Sequence, residues 1–315
     1  MISVENLNKY YGDFHALKGV SFEINAGEIV GILGPNGAGK STTLRILTCY
    51  LSPTSGNAVI DGKSILNQEI EVKKIIGYLP ESAPLYDDMS VFDYLVYMAE
   101  IQELERSRLN ERLHYAVNAC SLKEVISKSI GELSKGYKQR TGIAGAIIHD
   151  PKILILDEPT NGLDPNQIAE IRELIKELGK EKTVLISTHI LSEVEASCSR
   201  AIIINQGNVI ADAHPKHLTL NNRKENKISS RIKLSIKSND DNKKIIEKLK
   251  KIENIYDIKI EDNKTLKYIT LYSNDEEPRE KIYSFIKSTD WIIYEMMKER
   301  ENLEEVFHTL TKGDK

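Results

Sequence analysis

The spacing of apolar and polar residues divides the first part of the chain into short strands and helices. Apolar runs separated by Gly, Asn and Pro predict strands at residues 2–7, 20–24, 29–33, 58–60 and 76–79. A glycine-rich loop follows residue 33, and a helical pattern covers residues 40–51. Between residues 84 and 150 apolar positions recur at helical spacing, which predicts a helical insertion.

Alternation of strand and helix returns after residue 150. The run 153–156 is fully apolar, which is typical of a buried strand, and a second strand is predicted at 183–187. Asp164 followed by Pro165 marks a helix start, and Gly179 marks its end. A hairpin is expected around residues 205–208. The pattern therefore predicts a parallel α/β core with an antiparallel β edge over residues 1–215.

The last part of the chain carries a second pattern. Residues 216–230 are polar and are predicted to be a linker. Beyond them the strand and helix signals follow the order βαββαβ, which is the ferredoxin-like pattern. The predicted elements are 231–237, 242–251, 255–260, 266–272, 276–287 and 291–297, with a last helix near 302–310. We therefore expect a separate α+β accessory domain over residues 231–315.

Composition narrows the class of protein. The formal net charge of −4 argues against a dedicated nucleic-acid binder. Residues 216–251 hold 12 Lys/Arg and 4 Asp/Glu, so they fit either a solvated face or contact with an anionic surface. The three separated cysteines predict neither a disulfide framework nor a zinc site. No window reaches about 18 apolar residues, so we expect any membrane pore to be formed by another chain.

The glycine-rich loop has the spacing of a phosphate-binding P-loop. Residues 34–41 fit the pattern GxxxxGK[ST] between a strand and a helix, where backbone N–H groups surround phosphate oxygens. Lys40 is expected to reach the β- and γ-phosphates of ATP, and Ser41 to bind Mg²⁺. The predicted nucleotide-binding residues of this loop are Gly34, Pro35, Asn36, Gly37, Ala38, Gly39, Lys40, Ser41 and Thr42.

Two adjacent carboxylates end the buried strand at 153–156. Asp157 and Glu158 would lie at the carboxyl end of a strand, where doubly wound sheets bind ligands. Adjacent acids point to different sides. We therefore expect Asp157 to hold Mg²⁺ and Glu158 to polarise the attacking water.

Over residues 1–215 the chain resembles the nucleotide-binding subunit of ABC transporters. Leu133-Ser134-Lys135-Gly136-Tyr137 is similar to the family signature LSGGQ, residues 161–164 resemble its D-loop, and His189 resembles its switch histidine. Tyr11 resembles the aromatic residue that stacks on adenine, although stacking alone permits GTP. The resemblance adds Tyr11, Ser134 and Gly136 to the nucleotide-binding residues, and His189 to the catalytic residues Glu158 and Lys40. The sequence differs from the family pattern at Glu81, where the family usually has Gln. We expect Glu81 to be a third Mg²⁺ ligand.

The resemblance implies a function and partners. Two such subunits would sandwich two ATP molecules, so a homodimer is expected. It would work at the cytoplasmic face of the cell membrane with a separate multi-span permease, in an exporter-like branch and without nucleic acid. Two alternatives remain open: a soluble ABC-type ATPase with a non-transport role, and a non-catalytic regulatory module. The transported substrate is not encoded in these motifs.

Overall fold

The fold is described from a computed structural model, in which residues 1–215, 230–262, 266–275 and 277–299 are described. The chain divides into two compact units. The first contains the described residues up to 215 and the second contains those from 230 to 299. No helix in these ranges has the length and apolar character needed to cross a bilayer.

The first unit is built on a six-stranded sheet. Its strand order is β10-β9-β3-β8-β7-β6, and every pair is parallel except β9 with β10. The strands are β3 (Ile29–Leu33), β6 (Ile76–Leu79), β7 (Ile153–Asp157), β8 (Thr183–Thr188), β9 (Arg200–Asn205) and β10 (Asn208–Ala213). Side chains of β7 alternate between two apolar clusters, Ile153 and Ile155 in one, Leu154 and Leu156 in the other. Burial on both faces explains why this strand is apolar at each of these four positions.

A second sheet of the first unit is antiparallel. It has the order β2-β1-β4-β5, formed by β1 (Ile2–Tyr11), β2 (Phe14–Ile24), β4 (Ser55–Ile60) and β5 (Lys63–Ser64). Its first two strands form a hairpin that pairs Tyr11 with Phe14. This sheet is the predicted β edge, and its hairpin brings Tyr11 beside the P-loop.

Helices cover the parallel sheet and form the insertion. They are α1 (Lys40–Leu47), α2 (Glu69–Ile75), α3 (Val91–Ile101), α4 (Arg106–Ala119), α5 (Lys135–Ile147), α6 (Pro165–Gly179) and α7 (Leu191–Ser197), with short 3₁₀ turns at Lys123–Val125 and Ile130–Glu132. Tyr94 is the largest fully buried side chain of the insertion. A Cβ added at Gly145 would lie 3.0 Å from its ring, so glycine lets α5 approach α3 closely.

The second unit has the predicted βαββαβ order. Its elements are β11 (Ser230–Lys237), α8 (Asn242–Leu249), β12 (Ile255–Asp262), β13 (Lys267–Ser273), α9 (Arg279–Lys287) and β14 (Ile292–Glu299). The sheet order β12-β13-β11-β14 is fully antiparallel, as in a ferredoxin-like fold. Both helices pack on one face of the sheet, since Ile245 and Leu249 of α8 and Ile282 and Ile286 of α9 share a core with Ile232.

The predicted fold class is confirmed, and the differences are local. The helix predicted over residues 40–51 ends at Leu47, because Cys49 adopts a left-handed backbone with φ 54°. The helix predicted from residue 276 begins at Arg279, after Pro278. Strand β5 and helix α2 were not predicted, since both are short and carry few apolar residues. The helix predicted near 302–310 lies outside the described residues.

Candidate nucleotide site

The loops that leave four parallel strands meet around one cavity of about 510 Å³. Strand β3 leads into the P-loop, β6 is followed by Glu81, β7 by Glu158 and β8 by His189. The cavity is lined by Tyr11, Phe14, Ala16, Asn36, Gly37, Ala38, Gly39, Lys40, Ser41, Thr42, Glu81, Glu158, Asn161 and His189. The fold therefore gathers most of the predicted nucleotide-binding residues at the carboxyl edge of the sheet, the edge where such sheets bind ligands.

The P-loop conformation requires its glycines. Gly39 precedes α1 with φ 112°, a backbone region that other residues rarely adopt. A Cβ at Gly34 would lie 2.3 Å from the Ile204 carbonyl oxygen, so only glycine fits there. Gly34 and Pro35 do not line the cavity. Their carbonyl oxygens instead accept hydrogen bonds from Lys40 Nζ, at 2.9 Å and 3.4 Å.

Lys40 is the buried cation of the site. Its side chain is 6% exposed, and Nζ lies 3.3 Å from Glu158 Oε1. A buried ammonium is stable only when paired, so Glu158 and the loop carbonyls together hold its charge. Lys40 also lines the cavity together with the P-loop, where a phosphate would offer its ammonium group a stronger partner.

Ser41 and Asp157 form the candidate metal site. Ser41 Oγ donates a hydrogen bond to Asp157 Oδ1 at 3.1 Å, and Ser187 Oγ donates to the same oxygen. Asp157 is 1% exposed, and its Oδ2 atom is buried with no hydrogen-bond partner among the described residues. An unpartnered buried carboxylate oxygen next to a hydroxyl fits a hard cation such as Mg²⁺, which prefers oxygen ligands. Among the described residues no three His, Cys, Asp or Glu side chains cluster as a metal site. Mg²⁺ bound with ATP usually takes phosphate oxygens and water as its other ligands.

Glu158 lies between Lys40 and His189. Its Oε2 atom is 2.8 Å from His189 Nδ1, and the Glu158 side chain is 8% exposed. The residue has a left-handed backbone with φ 49°, held by a hydrogen bond from its N–H to Ser187 Oγ at 3.0 Å. Such a conformation costs about 1–3 kcal/mol in a non-glycine residue. It turns Glu158 toward the cavity while Asp157 stays at the sheet, as predicted for two carboxylates with different roles.

Two aromatic side chains form the rim of the cavity. Tyr11 is 46% exposed and Phe14 is 63% exposed, and they pair across the β1–β2 hairpin. Lys9 Nζ lies 5.5 Å from the centre of the Tyr11 ring. Sequence reasoning found Tyr11 but missed Phe14. The signal was present in Gly12-Asp13, a turn that places the residues on either side of it opposite one another.

Glu81 also lines the cavity. Its Oε1 atom accepts a hydrogen bond from Asn161 Nδ2 at 3.2 Å. Asn161 belongs to the segment identified as a D-loop, but the sequence did not place it in the cavity. The contact therefore adds Asn161 to the site and gives Glu81 a partner.

The residues that resemble the family signature, Ser134 and Gly136, do not line this cavity. Ser134 caps α5, accepting a hydrogen bond from the N–H of Tyr137 at 3.4 Å. Ser134 and Gly136 line a second, larger cavity of about 1370 Å³ bordered by α4, α5 and α6. A Cβ at Gly136 would lie 2.8 Å from the Gln167 carboxamide, so a larger residue there would have to displace that side chain. Within one chain, the structure does not bring the signature to the P-loop.

The chain is similar to known proteins in sequence and in fold. A family model described as ABC transporter matches residues 17–161. The bacitracin transport ATP-binding protein BcrA of Bacillus licheniformis is 37% identical over 226 residues, which cover 71% of this chain and 73% of BcrA. CbiO1 from Clostridium perfringens, part of the ABC transporter complex CbiONQ, has a TM-score of 0.64 at 34% identity, covering 70% of this chain and 91% of CbiO1. MJ0796, a bacterial ABC transporter cassette with a dimeric structure, has a TM-score of 0.62 at 28% identity, covering 68% of this chain and 99% of MJ0796.

Proposed function

The chain belongs to the ABC transporter ATP-binding family, and we propose that it hydrolyses ATP to drive a transporter whose membrane-spanning part is a separate chain. The proposal that the chain hydrolyses ATP rests on the contact of one buried carboxylate, Glu158, with both Lys40 and His189. A nucleotide-binding module that does not hydrolyse ATP has no need for this arrangement.

Binding of the triphosphate would rearrange this contact. P-loop amide groups and Lys40 bind the phosphates, and Lys40 Nζ exchanges the Glu158 carboxylate for phosphate oxygens. Glu158 is then free to orient a water molecule and to accept its proton. His189 keeps Glu158 in place through its ring nitrogen. A preorganised carboxylate of this kind lowers the barrier because little rearrangement remains at the moment of reaction.

Asp157 and Ser41 would hold the magnesium ion that accompanies ATP. When bound, the ion neutralises charge that develops on the phosphate oxygens. The chain supplies the buried Asp157 Oδ2 atom and the Ser41 hydroxyl, and the Ser187 hydroxyl keeps the carboxylate oriented. Glu81 reaches the same cavity from β6, where we propose it as a further oxygen ligand.

A second copy of the chain would complete the site. Ser134 and Gly136 belong to a different cavity from Lys40, so one chain provides the two halves on separate surfaces. We therefore propose a homodimer in which the open N-terminus of α5 of one copy faces the nucleotide of the other. Backbone N–H groups at a helix N-terminus bind phosphate, which suits this role. The dimeric structure of MJ0796 supports the proposal.

The membrane partner is proposed from the relatives. CbiO1 is part of a transporter complex, and BcrA is a bacitracin transport ATP-binding protein. We therefore propose that this chain binds the cytoplasmic face of the cell membrane through a multi-span permease and serves export. Residues 231–315, joined by a linker at 216–230, are proposed as an accessory domain that touches no nucleotide. Purification from membranes with a multi-span partner tests the assembly, and recovery of the chain without one contradicts it.

Phosphate release tests the hydrolytic part of the proposal. The wild-type chain should release phosphate from ATP only when Mg²⁺ is present. Lys40→Ala should abolish release, because it removes the cation that faces the phosphates. Lys152→Ala is the matched control, since Lys152 pairs with Asp61 on the surface and lies outside the cavity. Equal rates in the two variants would refute the proposed role of the site.

A further inference from the structure

A buried carboxylate lies behind the nucleotide cavity. Glu193, in helix α7, is 5% exposed and does not line that cavity. Its Oε2 atom accepts a hydrogen bond from Thr188 Oγ1 at 2.7 Å, and its Oε1 atom accepts one from Thr160 Oγ1. Both threonines are buried, at 1% and 4% exposure. One carboxylate therefore joins two hydroxyl groups that are far apart in sequence.

The two threonines adjoin residues of the nucleotide site. Thr188 directly precedes His189, and its Oγ1 atom also accepts a hydrogen bond from the N–H of Ile190 at 3.0 Å. Thr160 directly precedes Asn161, whose side chain donates to Glu81 in the cavity. The Glu193 carboxylate thus ties the segment that carries Asn161 to the segment that carries His189.

The surroundings make these two hydrogen bonds strong. Glu193 lines a small cavity together with Arg172, Thr160, Thr188, Ser197 and five apolar side chains. Burial of a carboxylate is costly unless it is hydrogen-bonded, and hydrogen bonds to charged groups are stronger than those between neutral groups. The two threonine hydroxyls therefore have little freedom to leave Glu193 once the chain is folded.

We propose that Glu193 is a positioning residue, which fixes Asn161 and His189 relative to Glu158. The inference rests on the proposed ATPase function, since it concerns the same site. Glu193 itself touches no nucleotide. Its effect passes through Thr160 and Thr188, which hold the two cavity-lining segments at a fixed separation.

Substitution of Thr160 isolates this effect. Thr160→Val keeps the shape of the side chain but removes the hydroxyl, whereas Thr160→Ser keeps the hydroxyl. We expect Thr160→Val to lower kcat of ATP hydrolysis by about 10-fold, since small misplacements of catalytic groups have effects of this order or larger. The KM for ATP should stay within about twofold, because the P-loop and the aromatic rim are unchanged, and Thr160→Ser should restore kcat.

Ser197→Ala provides the matched control. Ser197 lines the same small cavity, but in the part of the chain that the structure describes its hydroxyl has no hydrogen-bond partner, so this variant should keep the wild-type kcat. Glu193→Gln is the second test variant, because its amide nitrogen cannot accept the hydrogen bond that one threonine donates. The kcat of Glu193→Gln should fall as in Thr160→Val. When both substitutions are combined, the loss of kcat should be smaller than the product of the two single losses.

Amide hydrogen exchange separates this inference from the proposed function. In Thr160→Val the amides of residues 161–163 should exchange about 10-fold faster than in the wild type, but not in Thr160→Ser or Ser197→Ala. A wild-type chain that releases no phosphate would refute the proposed function, and the exchange rates would still test the positioning. Wild-type kcat and exchange in Thr160→Val would overturn the inference, as would an equal loss in Thr160→Ser.

Discussion

Asp150 is expected to stabilise the contact between the helical insertion and the parallel sheet. It follows α5 and lies near three cations: Lys182 Nζ at 2.9 Å, Arg108 at 3.3 Å and Arg112 at 3.4 Å. Arg112 and Lys182 are almost fully buried, with side chains 6% and 5% exposed. Asp150→Asn removes the one carboxylate that the three cations share. The substitution keeps the shape and suits the backbone, since Asn tolerates the left-handed φ of 62°.

The size of the effect follows from the burial of the partners. Loss of one partner from a buried ion pair costs about 3–5 kcal/mol, whereas an exposed pair contributes about 0–1 kcal/mol. The Asp150 side chain is 39% exposed, and both buried cations also donate to carbonyl oxygens, Arg112 to those of Ile147 and Ile148 and Lys182 to that of Pro151. We therefore expect Asp150→Asn to lower the free energy of unfolding by about 2 kcal/mol. For a unit of this size that lowers the melting temperature by about 4–8 °C.

The pH dependence of the effect has a definite sign. Burial alone would raise the pKa of Asp150, but the hydrogen bond and charge of Lys182, with the charges of Arg112 and Arg108, hold it below its ordinary value. A depressed folded-state pKa contributes stability above the unfolded value of about 3.9, and the contribution is lost as pH falls through the folded pKa. The difference between wild type and Asp150→Asn should therefore be constant from about pH 7 to 5 and shrink below about pH 4.

Thermal unfolding followed by circular dichroism measures this difference. Asp61→Asn is the matched control, because Asp61 also has a left-handed backbone, with φ 50°, and pairs with Lys152, whose side chain is 63% exposed. That variant should lose at most about 1 kcal/mol. Equal changes in melting temperature for the two variants would refute the argument from burial, and so would a difference that persists unchanged below about pH 3.

Three further predictions concern the site and the second unit. Tyr11→Ala should weaken ATP binding by about 1–3 kcal/mol through loss of stacking, which equilibrium binding measures, while inorganic triphosphate binding stays unchanged. Glu81→Ala should raise the Mg²⁺ concentration needed for half-maximal phosphate release, whereas Glu81→Gln should not, and an unchanged requirement in Glu81→Ala would remove Glu81 from the metal site. Truncation after Pro215 should leave ATP binding intact, as measured by calorimetry, and loss of binding in a folded truncated chain would show that the tail contributes to the nucleotide site.

The parts of the site that were predictable are those set by short sequence spacing. The glycines within residues 34–41 determine the conformation of that loop locally. Asp157 and Glu158 stand at the end of a strand whose apolar run predicts a buried position in the sheet. The second unit was predictable for a similar reason. Its helices and strands each bury one face, so the periodicity of Ile245 and Leu249, or of Ile232 and Leu234, was visible along the chain.

Features formed between distant segments were not predictable from the same patterns. Phe14 reaches the cavity only through the β1–β2 hairpin, and β1 extends through polar residues that do not show strand periodicity. Asp150 meets Arg112 and Lys182 only after α4 and α5 pack together. The Glu193 hydrogen bonds likewise join α7 to the loop after β7, through Thr160, and to the end of β8, through Thr188. Nothing in the local sequence of a single charged residue indicates which distant group it will contact.

Phosphate release by Glu158→Gln is the decisive measurement for the proposed hydrolysis. Glu158 is proposed to orient the attacking water, while Lys40 and the P-loop bind the phosphates. Glu158→Gln should therefore bind ATP with about wild-type affinity, accumulate as an ATP-bound dimer, and release phosphate about 10²–10⁴-fold more slowly. Near-normal phosphate release by a folded Glu158→Gln variant would contradict the account.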